Sequence, residues 1–251
     1  YREIHRIKEA QQVHLAQASC YAYFYAKQQE LSAIRIRITY CNMETEELKY
    51  FHYEYTIREL ENWFMEIINS YRRWADFQYE WQGLRQQSIK QLVFPFPYRE
   101  GQKNLVTYVY QTIYHRKKLF IEAPTGVGKT ISTVFPSIKA MGEGKGQRIF
   151  YLTAKTITRT VANDTLELLR KQMLRLKSVT LTAKDKICFI EETECNPVDC
   201  PYAKGHFDRI NDAIYDLLIH EDNFSREKIE EYAARHKVCP FEMSLDMSLF
   251  A

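Results

Sequence analysis

The sequence predicts an α/β protein: an incomplete parallel sheet wound by helices on both sides, carrying a mostly α-helical insert and preceded by an α+β segment. Three observations predict this class. Between residues 89 and 182, apolar strand-like runs alternate with amphipathic helical stretches, the grammar of a doubly wound sheet. One of those junctions, Leu119 to Thr130, is an apolar run, a Gly-bearing turn and a helix start. Residues 1–88 read instead as helix, hairpin and helix, and residues 183–251 as loops and helices carrying four cysteines.

Taken in order, residues 3–30 place Ile4, Ile7, Val13, Leu15, Cys20, Tyr21 and Phe24 at helical spacing among polar groups. Ile34 to Tyr40 alternates strictly, Asn42 to Glu47 turns, and Leu48 to Tyr55 returns as the hairpin partner. A second helix is expected from Ile57 to Trp81, opened by Thr56 as N-cap and holding Trp63, Trp74 and Trp81. Phe94-Pro95-Phe96-Pro97 then breaks the chain, because proline forbids helix and disfavours a central strand. Beyond it we expect helix 102–115, strand 118–123, helix 129–141, strand 147–153, helix 157–176 and strand 178–181.

With 251 residues, 45% hydrophobic and 27% charged, the composition excludes disordered, collagenous and membrane-spanning classes. The net charge of +3 is unevenly spread. Residues 101–180 hold 14 basic and 4 acidic side chains, against 8 and 15 in residues 181–251. Basic excess attracts phosphate without reading sequence, so it points to the middle segment as the phosphate-binding one. The first residue is Tyr1 and the last ones stop within an apolar stretch, so a segment of a longer protein is expected. Six cysteines with no secretory run point to a reducing compartment, the cytosol, where clustered thiols are metal ligands more often than disulfides.

Ala123-Pro124-Thr125-Gly126-Val127-Gly128-Lys129-Thr130 has the character of a phosphate-binding loop. Gly126 and Gly128 let the backbone curl until its N–H groups and the helix N-terminus face an anion. Lys129 would reach the β- and γ-phosphates of a nucleotide, and the Thr130 hydroxyl would hold Mg²⁺. Cys188, Cys195, Cys200 and Cys239 supply a complete four-thiolate shell, which suits an iron–sulfur cluster or tetrahedral Zn²⁺; spacing alone does not choose. Cys20 and Cys41 lie in the first segment and are expected in its core.

The A-P-T-G-x-G-K-T form resembles motif I of superfamily-two helicases. Arg99 and Gln102, within Tyr98-Arg99-Glu100-Gly101-Gln102, resemble the R-x-x-Q element with which those enzymes contact adenine, and a glutamine amide offers both a donor and an acceptor to that edge. Thr153, Lys155 and Thr156 stand in a stretch resembling motif Ia, which holds single-strand phosphates. Cys200-Pro201-Tyr202 and Cys239-Pro240-Phe241 resemble elements around the cluster ligands of XPD/DinG helicases. The resemblance implies a RecA-like lobe over 89–182 that binds ATP and Mg²⁺. It also implies a 4Fe–4S domain over 183–251 rather than a zinc site, and 5′–3′ translocation along single-stranded or forked DNA by a monomeric motor in DNA repair.

Gln17 and Tyr21, four apart on the first helix, resemble the Q-x-x-x-Y motif near the end of RecB-like PD-(D/E)XK nuclease modules, which implies that residues 1–88 are the C-terminal part of such a module bearing on DNA. The acidic metal-binding residues of that fold are not recognisable in residues 1–60, and no apolar run ending in paired acids follows the phosphate loop. No nuclease activity is therefore expected of this chain, and ATP binding without hydrolysis is. The competing reading is an ATP-binding, four-cysteine nucleic-acid module without motor activity.

Overall fold

A computed structural model describes residues 4–124, 126–153, 156–190 and 194–251, with residues 156–158 described by backbone alone. Its contacts divide the chain into two compact units, Tyr1–Gln78 and Tyr79–Ala251.

In the first unit, α1 (Gln12–Gln28) follows a short 3-10 turn at Ile4–Arg6, so the helix expected over 3–30 is shorter than its apolar pattern. Strands β1 (Ala33–Cys41) and β2 (Leu48–Thr56) pair antiparallel from Ala33↔Thr56 to Cys41↔Leu48. The period of two sets Ile34, Ile36 and Ile38 opposite Tyr55, Tyr53 and Phe51 on one face, and Ile36 is buried with Ala22, Tyr23 and Leu60. Asn42 makes the turn, its Oδ1 accepting from the N–H groups of Glu44 and Thr45. Thr56 caps helix α2 (Ile57–Gln91) reciprocally with Glu59: the Glu59 N–H donates to Thr56 Oγ1 at 3.2 Å and the Thr56 N–H to Glu59 Oε2 at 2.8 Å. The helix continues to Gln91 rather than stopping at Trp81, because a lone Gly83 costs it only about 1 kcal/mol and the proline break comes later.

In the second unit, α3 (Gln102–Tyr114), α4 (Lys129–Gly142) and α5 (Thr156–Arg170) pack with the end of α2 around Ile89, Leu92, Val106, Ile138, Met141 and Leu169. Lys139 of α4 donates to the carbonyls of Ile89, Lys90 and Leu92, capping α2 from the side. Tyr110 of α3 donates to Glu143 just past α4, and that hydrogen bond pushes the phenol up to about 12. These ties set the relative positions of α3 and α4, whose N-terminal ends bound the candidate site.

The stretches 118–123 and 147–153, expected as strands, form none in this structure. Both run over the surface, with Phe120 94% and Leu152 88% exposed. An apolar run becomes a strand only where a neighbour supplies partners for its N–H and C=O groups, and among the described residues neither run is paired in a sheet. The parallel pairing that does occur joins β3 (Ser178–Val179), within the strand expected at 178–181, to β4 (Asn223–Phe224), which lies in a stretch the sequence reads as loop and helix. Helix α5 stops at Arg170 instead of near residue 176 because Met173 turns left-handed (φ 68°). Arg170 then donates to the Leu176 and Asp222 carbonyls and to Ser178 Oγ, holding β3 beside β4.

After α6 (Lys184–Ile187), helices α7 (His206–His220), α8 (Arg226–His236) and α9 (Pro240–Met247) pack on one another and bury Leu217, Leu218, Ile229, Met243 and Met247. Ser225 caps α8, its Oγ accepting from the Lys228 N–H at 3.3 Å, and Phe224 and Ile229, both fully buried, stand at staple spacing across that cap. Among the described residues no helix is long and apolar enough to cross a membrane.

Candidate functional site

The phosphate-loop residues form a curl between the exposed stretch 118–123 and α4. Gly126 (φ 87°) and Gly128 (φ 74°) both lie in the left-handed region, and Gly128 immediately precedes the helix. The first N–H groups of α4 have no intrahelical acceptor, so the curl ends on a positively polarised helix N-terminus. Lys129 Nζ donates to the carbonyls of Ala123 at 2.8 Å and Pro124 at 2.9 Å, which holds its ammonium over the curl. Thr130 is half-buried in the first turn. Thr125 lies outside the described residues.

Lys129 and Thr130 line a cavity of about 520 Å³ together with Phe96, Gly126, Val161 and Asp164. Volume and lining suit a polyanion with a divalent cation: an ammonium, a hydroxyl, helix N–H groups and a carboxylate meet there. Sequence reasoning missed Asp164 and Val161. The signal was available, since Val161, Asp164, Thr165 and Leu168 stand at i, i+3, i+4 and i+7 on α5 and so share one face.

Arg99 and Gln102 sit against the same loop. An Arg99 Nη1–H donates to the Gly126 carbonyl. Gln102, 4% exposed, donates from Nε2 to the Val127 carbonyl at 2.9 Å and accepts at Oε1 from the Arg99 N–H at 3.0 Å. A second cavity, of about 400 Å³, lies between the start of α3 and residues 119–124 and is bordered by Gln102, Asn104 and Tyr108.

Of the remaining sequence-predicted residues, Thr153 is exposed, Lys155 lies outside the described residues, and Thr156 opens α5 with its side chain outside them. Gln17 and Tyr21 do meet on the exposed face of α1, Gln17 Nε2 donating to Tyr21 Oη at 3.5 Å. Cys41, expected in the core, is exposed at the end of β1, and Cys20 is half-buried.

The four insert cysteines are all free: Cys200 is buried, Cys188 and Cys239 half-buried and Cys195 exposed. Among the described residues no three metal-ligating side chains converge. The chemistry of the set nevertheless fits a soft metal. The Cys195 side chain holds the Lys184 ammonium above its ordinary value, with smaller contributions from Cys188 and Cys239, and four thiols are the donor type a soft metal takes. Burial pushes the Cys239 thiol up, against the pull of the Glu242 and Phe241 N–H groups at the start of α9.

No protein-family model and no solved structure matches the chain. A stretch of 46 residues, 18% of the chain, is 44% identical to a probable ATP-dependent helicase of Methanocaldococcus jannaschii. That stretch relates the chain to a helicase. It covers 7% of the archaeal protein's length.

Proposed function

We propose that the chain is part of an ATP-dependent DNA helicase and that residues 126–130 bind the phosphates of ATP. In this reading residues 89–182 are the first half of a RecA-like lobe, 1–88 the C-terminal part of a RecB-like module, and 183–251 a cluster domain. The observation that carries it is the convergence of Lys129, Thr130 and the left-handed glycines on one cavity at a helix N-terminus. Lys129 would exchange its two loop carbonyls for β- and γ-phosphate oxygens, and Thr130, with Asp164 facing it, would hold Mg²⁺. The similarity to a helicase and the basic excess of residues 101–180 support a nucleic-acid partner; the reading takes it to be single-stranded or forked DNA, with 5′–3′ movement by a monomeric motor in DNA repair, in the cytoplasm.

Cys188, Cys195, Cys200 and Cys239 would hold a 4Fe–4S cluster, or Zn²⁺ in its place. Bound there, the metal would staple the loop 188–200 to the start of α9. The chain is expected to bind Mg²⁺–ATP weakly in calorimetric titration and to release no phosphate, with or without single-stranded DNA. Failure to bind sinks the nucleotide reading, and DNA-stimulated phosphate release overturns the expectation of an inactive segment. Anaerobically purified protein should show visible absorption that bleaches on reduction; a colourless, zinc-loaded protein overturns the cluster.

A further inference from the structure

We infer that His206 and Arg209, at the start of α7, are positioning residues for the cysteine site: they fix the turn that follows Cys200 and the helix cap at Cys239 before any metal is bound. The inference rests on the proposed four-thiolate reading and adds to it the two side chains that build half of the site in advance. Cys200 and Cys239 are far apart in the sequence, and α7 begins between them. An arginine guanidinium is a rigid fork of N–H donors, able to hold several carbonyls in one plane. Arg209 donates from Nη2 to the Lys204 carbonyl at 2.8 Å and to the Lys237 carbonyl at 2.7 Å, and from Nε to the His236 carbonyl at 3.1 Å. The Lys204 N–H in turn donates to the Cys200 carbonyl at 3.0 Å. His206, 6% exposed, accepts at Nδ1 from the Cys239 N–H at 3.2 Å.

The backbone on both sides shows why such ties are needed. Lys237 ends α8 in the left-handed region (φ 54°), which a side chain with a Cβ resists, and Arg209 holds its carbonyl there. Two residues on, Cys239 is the N-cap of α9 with extended backbone (φ −68°, ψ 120°), and its thiol meets the Phe241 and Glu242 N–H groups only while that conformation is kept. The His206 acceptor fixes the N–H side of this residue. On the other side, a Cβ on Gly205 would come within 2.5 Å of Arg209 Nη1, so glycine at 205 leaves room for the guanidinium to fold back toward the Cys200 turn. Cys195 stands in contrast, exposed on its loop. Metal binding would then close the loop bearing Cys195 onto thiols already held from α7, and partners that orient metal ligands in this way are worth a large share of the affinity.

The 251-residue chain, made metal-free under reducing and anaerobic conditions, would be compared with His206→Phe, His206→Asn and Arg209→Met. Phenylalanine fills the ring space without an acceptor, asparagine returns an acceptor oxygen close to where Nδ1 stood, and methionine keeps the apolar stem without the donors. Two measurements are made on each: amide hydrogen exchange at Cys239 without metal, and titration with Co²⁺, whose thiolate absorption bands report sulfur ligation. Exchange at the Cys239 N–H should accelerate about threefold to tenfold in His206→Phe, the worth of one buried hydrogen bond, and return toward the parent rate in His206→Asn. Co²⁺ affinity should fall about 10- to 100-fold in His206→Phe and Arg209→Met, with the same thiolate bands at saturation, and recover in His206→Asn. Thiolate-bound Co²⁺ in the parent with unchanged affinity in His206→Phe would make the tie to Cys239 a matter of stability alone and overturn the inference, as would unchanged exchange at Cys239. Should Arg209→Met open the whole insert, seen as lost protection at Leu217 and Leu218, the two His206 variants decide. If the parent shows no thiolate-bound Co²⁺, the four-thiolate reading falls and takes the inference with it.

Discussion

The phosphate loop and the cysteine insert are both candidate ligand sites, and they are assembled in opposite ways. The loop presents backbone: two glycines bend it, the N-terminus of α4 polarises it, and the groups that form the curl itself lie within a few residues of Gly128. The insert would present side chains from Cys188 to Cys239, brought together by three helices. The first site has its donors in place without a ligand. The second has a packed scaffold, with Leu217, Ile229 and Met243 fully buried, while its sulfurs stop short of a ligand shell. Backbone donors are placed by dihedral angles alone.

The largest effect expected from this contrast follows removal of the insert's scaffold. Phe224 is fully buried where β4 leads into α8, and truncating a buried phenylalanine costs about 3–5 kcal/mol. Phe224→Ala should therefore lower the denaturation midpoint strongly and, in hydrogen exchange, open α7 and α8. If the insert were organised by metal alone, the ligand-free variant would melt as the parent does.

Lys129→Ala probes the other side of the comparison and should do the reverse. The Lys129 ammonium is exposed and, among the described residues, donates to two carbonyls of its own loop, so its loss should leave the thermal midpoint nearly unchanged. The charge-assisted contacts to phosphate would be gone, and Mg²⁺–ATP affinity should fall about 10- to 100-fold in calorimetric titration. A large stability loss without an affinity change would show that the loop is held together by its lysine and is not preformed.

The same contrast explains what could be read from the sequence. The glycine curl, the Thr56 cap and the alternating hairpin are local, and each was legible because its cause lies within a few residues. The runs at 118–123 and 147–153 have the apolar composition of strands, but a strand depends on a neighbour, which composition does not report. Of the β3–β4 pair, residues 178–179 fall within the strand read at 178–181, while their partner at 223–224 lies more than forty residues further on and two residues leave no periodic trace. Asp164 was legible only as a member of the α5 face 161, 164, 165 and 168, because an acid on such a face looks like any solvated charge until the cavity beside it is known. Gln102 was visible as a residue, and its two hydrogen bonds to the segment 99–127 were not.

The smallest expected effect concerns the acid limb of stability, which should belong to the insert. Asp216 of α7 accepts from His236 Nε2 at 2.8 Å and Arg235 Nη1 at 3.2 Å, both near the end of α8. Burial alone would raise its carboxyl, but the hydrogen bonds from His236 and Arg235 outweigh it and hold the group below the ordinary aspartate value of 3.8. A carboxyl that is more acidic in the folded state stabilises the protein above its ordinary value. As pH falls toward the lower folded value the unfolded chain takes up the proton first, and this contribution is lost. Denaturation midpoints measured between about pH 6 and pH 3 should therefore decline less steeply for Asp216→Asn than for the parent. Exchange at α7 and α8 should account for the difference, while residues 126–131 of the phosphate loop, which hold no carboxylate, respond alike in both proteins. Parallel acid limbs would mean that the α7–α8 contact rests on its apolar side chains, with the Asp216 network adding nothing to it.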